Sequence, residues 1–228
     1  MSDLIENGLE PDQRALVLLA EGEPADAADA RLAALKQAEV RRWRWTPPDL
    51  PAVKGAGFAV VFFFADPRGN PVDQLEALKP WIERQGARLA RIMCVVDCGL
   101  AEKNPKLLPW FDACVHFSDV VFVTRRVGVA NKWLSTFLKH FQSQHYPCHF
   151  LQPREGEIDN PALVLEPEAR RVSEYFDEPV ELTPEDIEGE EDVELTPEEL
   201  APPADPYFER RRNGRRVKEI PDLAAYLV

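Results

Sequence analysis

The sequence predicts an α/β protein in three layers, a mostly parallel sheet with helices on both faces. Two observations carry that expectation. Residues 58–64, 89–96 and 119–124 are short apolar runs rich in β-branched and aromatic side chains, the pattern of strands buried on both faces. Stretches with helical spacing of apolar residues alternate with them, and such alternation implies parallel strands joined by crossovers. A third feature sets off an acidic C-terminal tail. Of the 40 acids in the 228 residues, 13 lie between Glu174 and Leu200 with no base among them, so the remaining 27 match the chain's 27 bases.

Taken in order, residues 1–13 read as a polar lead-in. Residues 15–19 form a strand that Glu21-Gly-Glu-Pro24 breaks. Residues 25–38 read as a helix, because Ala28, Leu32 and Leu35 share a face and Pro24 suits a helix start. In residues 40–45, Arg and Trp alternate. Trp43 and Trp45 share one face, as in an outer strand whose tryptophans turn inward while the arginines reach water. Interleaved Arg and Trp also suit stacking on nucleic acid. After the strand at 58–64, residues 72–85 make an amphipathic helix with Leu75, Leu78 and Ile82 inward, closed by Gly86. Residues 107–117 carry another helix, with Leu107, Trp110, Phe111 and Cys114 inward. Asn131 suits the N-cap of a helix running to about Gln144. Residues 148–151 suggest a further strand, and a short helix is expected from Pro167 to Phe176.

The domain organisation follows the charge. Residues 1–178 form the α/β domain, 179–206 an acidic linker expected to be disordered, and 207–228 a basic then apolar docking segment. Within the linker, Glu181-Leu-Thr-Pro-Glu-Asp-Ile187 recurs as Glu194-Leu-Thr-Pro-Glu-Glu-Leu200, thirteen residues on. Each copy has threonine as N-cap and proline at the first helical position. Beyond it, Arg210, Arg211, Arg212, Arg215 and Arg216 surround an Asn213-Gly214 turn signal, and Leu223 and Tyr226 supply an apolar end. This segment is expected to contact a protein partner or to dock on its own chain.

Composition excludes several classes. A formal net charge of −13 argues against generic nucleic-acid binding. The N-terminus lacks the pattern of a signal peptide, and no apolar run approaches the roughly 18 residues of a membrane span. The expectation is a cytoplasmic protein with its four cysteines reduced. Cys114, His116, His140, His145, Cys148 and His149 fit no closed tetrahedral spacing, so no metal is expected.

In an open α/β sheet, ligands bind beyond the carboxyl ends of the strands. Asp66 follows the first central strand and Asp97 the second. Thr124, Arg125 and Arg126 close the third, and Asn131 starts the following helix. Two carboxylates there could hold Mg²⁺ and the arginines could clamp phosphate. Set against this, an Asp after a strand is often a helix cap, and a nearby Arg its charge partner. Cys98 beside Asp97 reads as a packed thiol, reactive only if a cation lowers its pKa.

The order Val60-Val-Phe-Phe-Phe-Ala-Asp-Pro67, Cys94-Val-Val-Asp97 and Ser118-Asp-Val-Val-Phe-Val-Thr-Arg125 resembles the later half of the CobW-like GTPases, a zinc-chaperone branch of the P-loop proteins. The resemblance covers about a third of the chain and rests on spacing. It implies a P-loop-NTPase-like fold. The departures are specific. The family's Glu-Thr-Ser-Gly falls on the apolar residues 60–63, and its guanine-reading Asn-Lys-x-Asp falls on Thr124-Arg-Arg-Val127. Where a glycine-rich loop with Lys-Thr would cradle phosphates stands Glu21-Gly-Glu-Pro-Ala-Asp-Ala-Ala-Asp29, whose carboxylates would repel a triphosphate. The family's Cys-x-Cys-Cys is absent. The resemblance therefore implies a degenerate GTPase that has lost hydrolysis and acts through protein contacts without a cofactor. One alternative is an enzyme binding a nucleotide or phosphate ligand at the strand ends. A second is RNA binding through the arginine clusters.

Overall fold

The computed structural model describes residues 1–22, 27–53, 57–154, 156–177 and 205–227. The chain divides into two compact units, residues 1–172 with 220–228, and residues 173–219.

The first unit is α/β, with two three-stranded sheets that are parallel throughout. In the first sheet β1 (Ala15–Ala20) lies between β2 (Ala38–Trp43) and β3 (Val60–Phe63). In the second, β5 (Val120–Thr124) lies between β4 (Met93–Asp97) and β6 (His149–Leu151). Each central strand is the most buried of its sheet because both of its faces are covered. All six residues of β1 are buried. Ala15, Val17 and Leu19 share a core with Ile5, Leu32 and Phe62, while Leu16, Leu18 and Ala20 pack on Trp43, Leu50 and Trp81. In β5, Val121 and Val123 face Phe111, Phe137 and Phe141, whereas Val120 and Phe122 face Leu4 and Val164.

Helices cover both faces of the sheets. Helix α1 (Ser2–Gly8) places Leu4 in the core beside β5 and Ile5 in the core beside β1. It packs on α7 (Pro161–Leu165), and Asp3 Oδ2 accepts from the backbone N–H of Ile158 at 2.8 Å. Helix α2 (Ala27–Ala34) buries Leu32 in the core that also receives Ile5. On the opposite faces lie α3 (Pro71–Gln85), α4 (Cys98–Lys103), α5 (Leu108–His116) and α6 (Asn131–Gln142). The ends of α3 follow local chemistry: Asn70 Oδ1 accepts from the N–H of Val72 at 2.9 Å, and Gly86 closes the helix at φ 60°.

Several sequence expectations are corrected. The lead-in at 1–13 contains α1, which forms because Leu4 and Ile5 are 1% and 0% exposed. Helix α2 ends at Ala34, since Ala38 already begins β2 and its N–H bonds the carbonyl of Leu35. The expected single ladder through the three central runs is divided: β3 pairs with β1, β4 pairs with β5, and no ladder joins β3 to β4 among the described residues. On α3, Leu78 and Ile82 pack on the core as expected, but Leu75 is not part of it, and the most buried residues are Val72, Gln74 and Trp81. Asp97 leads directly into α4, an element the sequence did not suggest. Asn131 is the first residue of α6, whose N-cap is Ala130. The helix expected after Pro167 is absent among the described residues; the stretch 166–172 is instead fastened to β5 by Asp119. The repeats at 181–187 and 194–200 lie outside the described residues.

Leu223 and Tyr226, in a 3-10 turn (Leu223–Tyr226), belong to the first unit. Leu223 is buried in the core with Cys148 and Phe141, and Tyr226 packs against it.

In the second unit the chain doubles back around Asn213-Gly214. Arg211 N–H bonds Arg215 O at 2.7 Å, Gly214 N–H bonds Arg211 O at 2.8 Å, and Val217 N–H bonds Glu209 O at 2.9 Å. Gly214 has φ 80°, so residues 209–217 form a hairpin whose turn needs a residue free to adopt the left-handed region. Its base is anchored by aromatic rings. Tyr207 is fully buried, Tyr175 and Phe208 have ring centroids 4.3 Å apart, and the Lys218 ammonium sits 4.0 Å from the Tyr207 ring centroid.

Candidate functional site

The carboxyl end of the second sheet brings three sequence-selected residues together. Asp97 is the last residue of β4 and the N-cap of α4. Its Oδ1 accepts from Leu100 N–H at 3.0 Å, and its Oδ2 lies 3.3 Å from Arg125 Nη1. Thr124 ends β5 opposite Asp97 in the ladder and donates its hydroxyl to the carbonyl of Val96 at 2.9 Å. Arg125 has φ 49°, a conformation that non-glycine residues adopt at a cost, and its side chain remains 80% exposed. An exposed ion pair of this kind contributes little to stability, about 0–1 kcal/mol.

The other candidates are engaged separately. Arg126 donates to Gln152 Oε1 at 2.7 Å and to Pro153 O at 3.4 Å. Asn131 faces an open depression of about 280 Å³ along the outer side of α6, lined with Leu134, Ser135, Leu138, Lys139 and Gln142. Asp66 turns its Oδ1 back to the N–H of Arg68 at 2.9 Å, and Gln74 holds its backbone from both sides, accepting from Asp66 N–H and donating to Asp66 O. Asp66 thus belongs to the loop after β3, next to Gly22, whose Cβ would lie 3.3 Å from Asp66 Oδ1. Residues 23–26 of the loop after β1, where a phosphate cradle would form, lie outside the described residues.

The Arg–Trp stretch is similarly occupied. Trp43 is buried and donates from Nε1 to Phe64 O at 3.0 Å. Arg41 pairs with Glu39, Arg42 with Asp29, and Arg44 with Glu21. The thiols are packed. Cys98 is fully buried, and burial, reinforced by Asp97, pushes its pKa from 9.0 to about 11. Burial pushes Cys148 up to about 12, and Cys114, hydrogen-bonded to Cys94, well above the ordinary thiol value. Such thiols are poor nucleophiles. Among the described residues, no group of three His, Cys, Asp or Glu side chains is arranged to hold a metal ion.

Two organised polar groups escaped sequence reasoning. Asp119, at the entry of β5, is fully buried. It accepts from Ile92 N–H and Arg170 N–H, both at 2.7 Å, and from Arg171 Nη1 at 3.2 and 3.4 Å. The signal was an acid directly before an apolar strand, where a lone loop residue is the ordinary reading. The second group joins α5 to α6, with His140 Nε2 2.7 Å from Asp112 Oδ1. Both lie away from the strand carboxyl ends; Asp119 stands at the opposite end of β5 from Thr124.

The arginine hairpin contrasts with all of these. Arg210, Arg211, Arg212 and Arg215 are exposed at its turn, while Arg216 is 8% exposed and donates to Tyr207 O at 3.0 Å. Comparison with protein-family models, with curated proteins and with solved structures finds no match. Among the described residues, no helix is long and apolar enough to cross a membrane.

Proposed function

We propose that this chain is a non-catalytic α/β protein, similar in plan to a P-loop GTPase without a working phosphate loop, that acts by holding a protein partner. One observation carries the reading. Asp66, Asp97, Thr124 and Arg126, which sequence reasoning assigned to a ligand, are engaged by the chain itself, while Arg210, Arg211, Arg212 and Arg215 stay exposed on a hairpin turn where Arg210 and Arg211 bond the carbonyls of Gly214 and Val217. Asp97 caps α4, Thr124 bonds a neighbouring strand, Asp66 closes its own loop, and Arg126 is held by residues 152–153. Among the described residues, this favours the hairpin as a recognition surface.

The hairpin's charge pattern supports this. Arg211 faces Arg215, and Arg210 forms a β-bridge with Arg216. Like charges directly opposite one another destabilise a strand pair by a few tenths of a kcal/mol, up to about 1. Arg216 serves the fold by donating to Tyr207 O; the exposed Arg211 and Arg215 are the like-charged pair that opposite charges would have stabilised.

The test combines stability with ligand addition. The triple variant Arg211→Ser, Arg212→Ser, Arg215→Ser should unfold at the same urea concentration as the parent or slightly higher. A loss above about 1 kcal/mol would assign the arginines to the fold and remove the reading. Addition of Mg²⁺-GTP or Mg²⁺-ATP should leave the melting temperature unchanged. A rise that disappears in Asp97→Ala would instead establish a nucleotide site at the strand ends.

A further inference from the structure

The first unit holds its two C-terminal boundaries by different means. Up to residue 172 the hold is polar: Val172 N–H bonds His116 O at 3.2 Å, and the buried Asp119 accepts from Arg170 N–H at 2.7 Å. Residues 173–219 then form the other unit, and residues 220–228 belong to the first again. Among the described residues, no hydrogen bond or ion pair joins 220–227 to any other element. The side-chain bond within this stretch is its own cap, with Asp222 Oδ1 accepting from Ala224 N–H at 2.9 Å at the start of the turn Leu223–Tyr226.

What seats the stretch is apolar. Leu223 is 6% exposed in the core that holds Phe111, Phe137, Phe141 and Cys148, and the half-buried Tyr226 packs against that core. Ala225 and Leu227 face water. Full burial of one leucine side chain shifts an equilibrium by a factor of roughly ten to a hundred. Ordering the backbone of the turn opposes this and offsets what Tyr226 adds. The segment is therefore free in roughly one to ten per cent of molecules, a minor state of the size on which a competing ligand acts.

Release uncovers the seat of a leucine and of an aromatic ring three residues further on. We infer that residues 220–227 are a releasable strap, and that the seat of Leu223 and Tyr226 is a docking site for a partner protein's segment of the same chemistry, an Asp-capped turn with a leucine followed three residues later by an aromatic. The occupant seen in the structure defines that chemistry. Because it is held by side chains and not by a backbone ladder, another segment offering the same side chains replaces it without re-forming any hydrogen bond to the core. The hairpin of residues 209–217 plays no part in this site.

Two measurements on the full chain test the inference. In native-state hydrogen exchange, the Tyr226 amide should exchange at least about a hundredfold faster than the amides of Val121 and Val123 in β5, at a rate that low urea leaves unchanged, the mark of local opening. The second measurement is fluorescence anisotropy with a labelled peptide of residues 218–227. The peptide should bind the Leu223→Ala, Tyr226→Ala variant of the full chain at least about tenfold more tightly than the parent, whose own segment fills the seat. The same peptide carrying Leu223→Ala and Tyr226→Ala should not bind. Equal binding to variant and parent, equal binding of the two peptides, or no binding to the folded variant overturns the inference. Exchange of Tyr226 only together with β5 overturns it independently of any variant. A double variant that does not fold overturns it too, because a fold cannot depend on a segment that it regularly releases.

Discussion

Replacing Asp119 by Ala isolates a single buried carboxylate. Asp119 is 0% and the Arg171 side chain 5% exposed, and the carboxylate accepts from two backbone N–H groups as well as from the guanidinium. Its removal takes from the buried Arg171 guanidinium the carboxylate it faces, and leaves the amides of Ile92 and Arg170 without this acceptor. Breaking a buried ion pair from one side costs about 3–5 kcal/mol, most of it the uncompensated charge. Each orphaned amide adds about 1–3 kcal/mol, part of which entering water recovers. A loss of about 4 kcal/mol is expected. With a urea m-value of about 2.5 kcal/mol/M, this moves the midpoint down by roughly 1.5 M. The assay is equilibrium unfolding in urea, followed by far-ultraviolet circular dichroism. Arg171→Met should cost less, because the carboxylate keeps its two backbone donors. The double variant should cost less than the sum by at least about 2 kcal/mol, the signature of direct coupling. A loss below about 1 kcal/mol for Asp119→Ala, or strict additivity, would refute the view that this pair fastens residues 166–172 to β5.

Two further outcomes follow from the site geometry. Arg125→Gly removes a left-handed strain worth about 1 kcal/mol and an exposed ion pair worth about as much or less. The urea midpoint should therefore stay where it is or rise slightly, and a drop of more than about 2 kcal/mol would mean that Arg125 holds the corner by contacts beyond Asp97. The packed thiols make the fold alkali-sensitive. Above pH 9 the unfolded thiols lose their protons, while in the folded chain Cys98 holds its proton to about 11 and Cys148 to about 12. The folded state then binds more protons than the unfolded one, so stability falls as pH rises from 9 through these values, by up to about 1.4 kcal/mol per pH unit for each thiol. Urea midpoints measured between pH 8 and 10.5 should decline, and a flat profile would contradict the burial of these sulphurs.

The strands were legible because doubly buried strands show their environment in their composition. Ala15–Ala20 and Val120–Thr124 contain almost nothing but apolar residues, and both are central. Gly86 marked the end of α3 because a C-cap is local chemistry. Helix α1 was hidden for the opposite reason. Its seven residues are too few to hold a helix by themselves, and the burial of Leu4 and Ile5 supplies what local propensity lacks. The division between β3 and β4 was also hidden, since an apolar run does not name its neighbour. At the candidate site, Asp97 and Arg125 were found as a pair, but Asp66 and Arg126 have separate duties that spacing alone does not separate. Asp119 escaped because the pattern that buries it comes from Arg170 and Arg171, half a hundred residues away in sequence.

The bond between Asp3 and Ile158 spans 155 positions. A ribosome adding about 5–20 residues per second needs roughly 8–30 s to cover that interval. To the end of that time α1 lacks its α7 neighbour, although β1, β2 and then β5 have been made before it. Helix α1 is therefore made long before the helix that seats it. Its two apolar side chains remain within reach of a nascent-chain chaperone until α7 emerges.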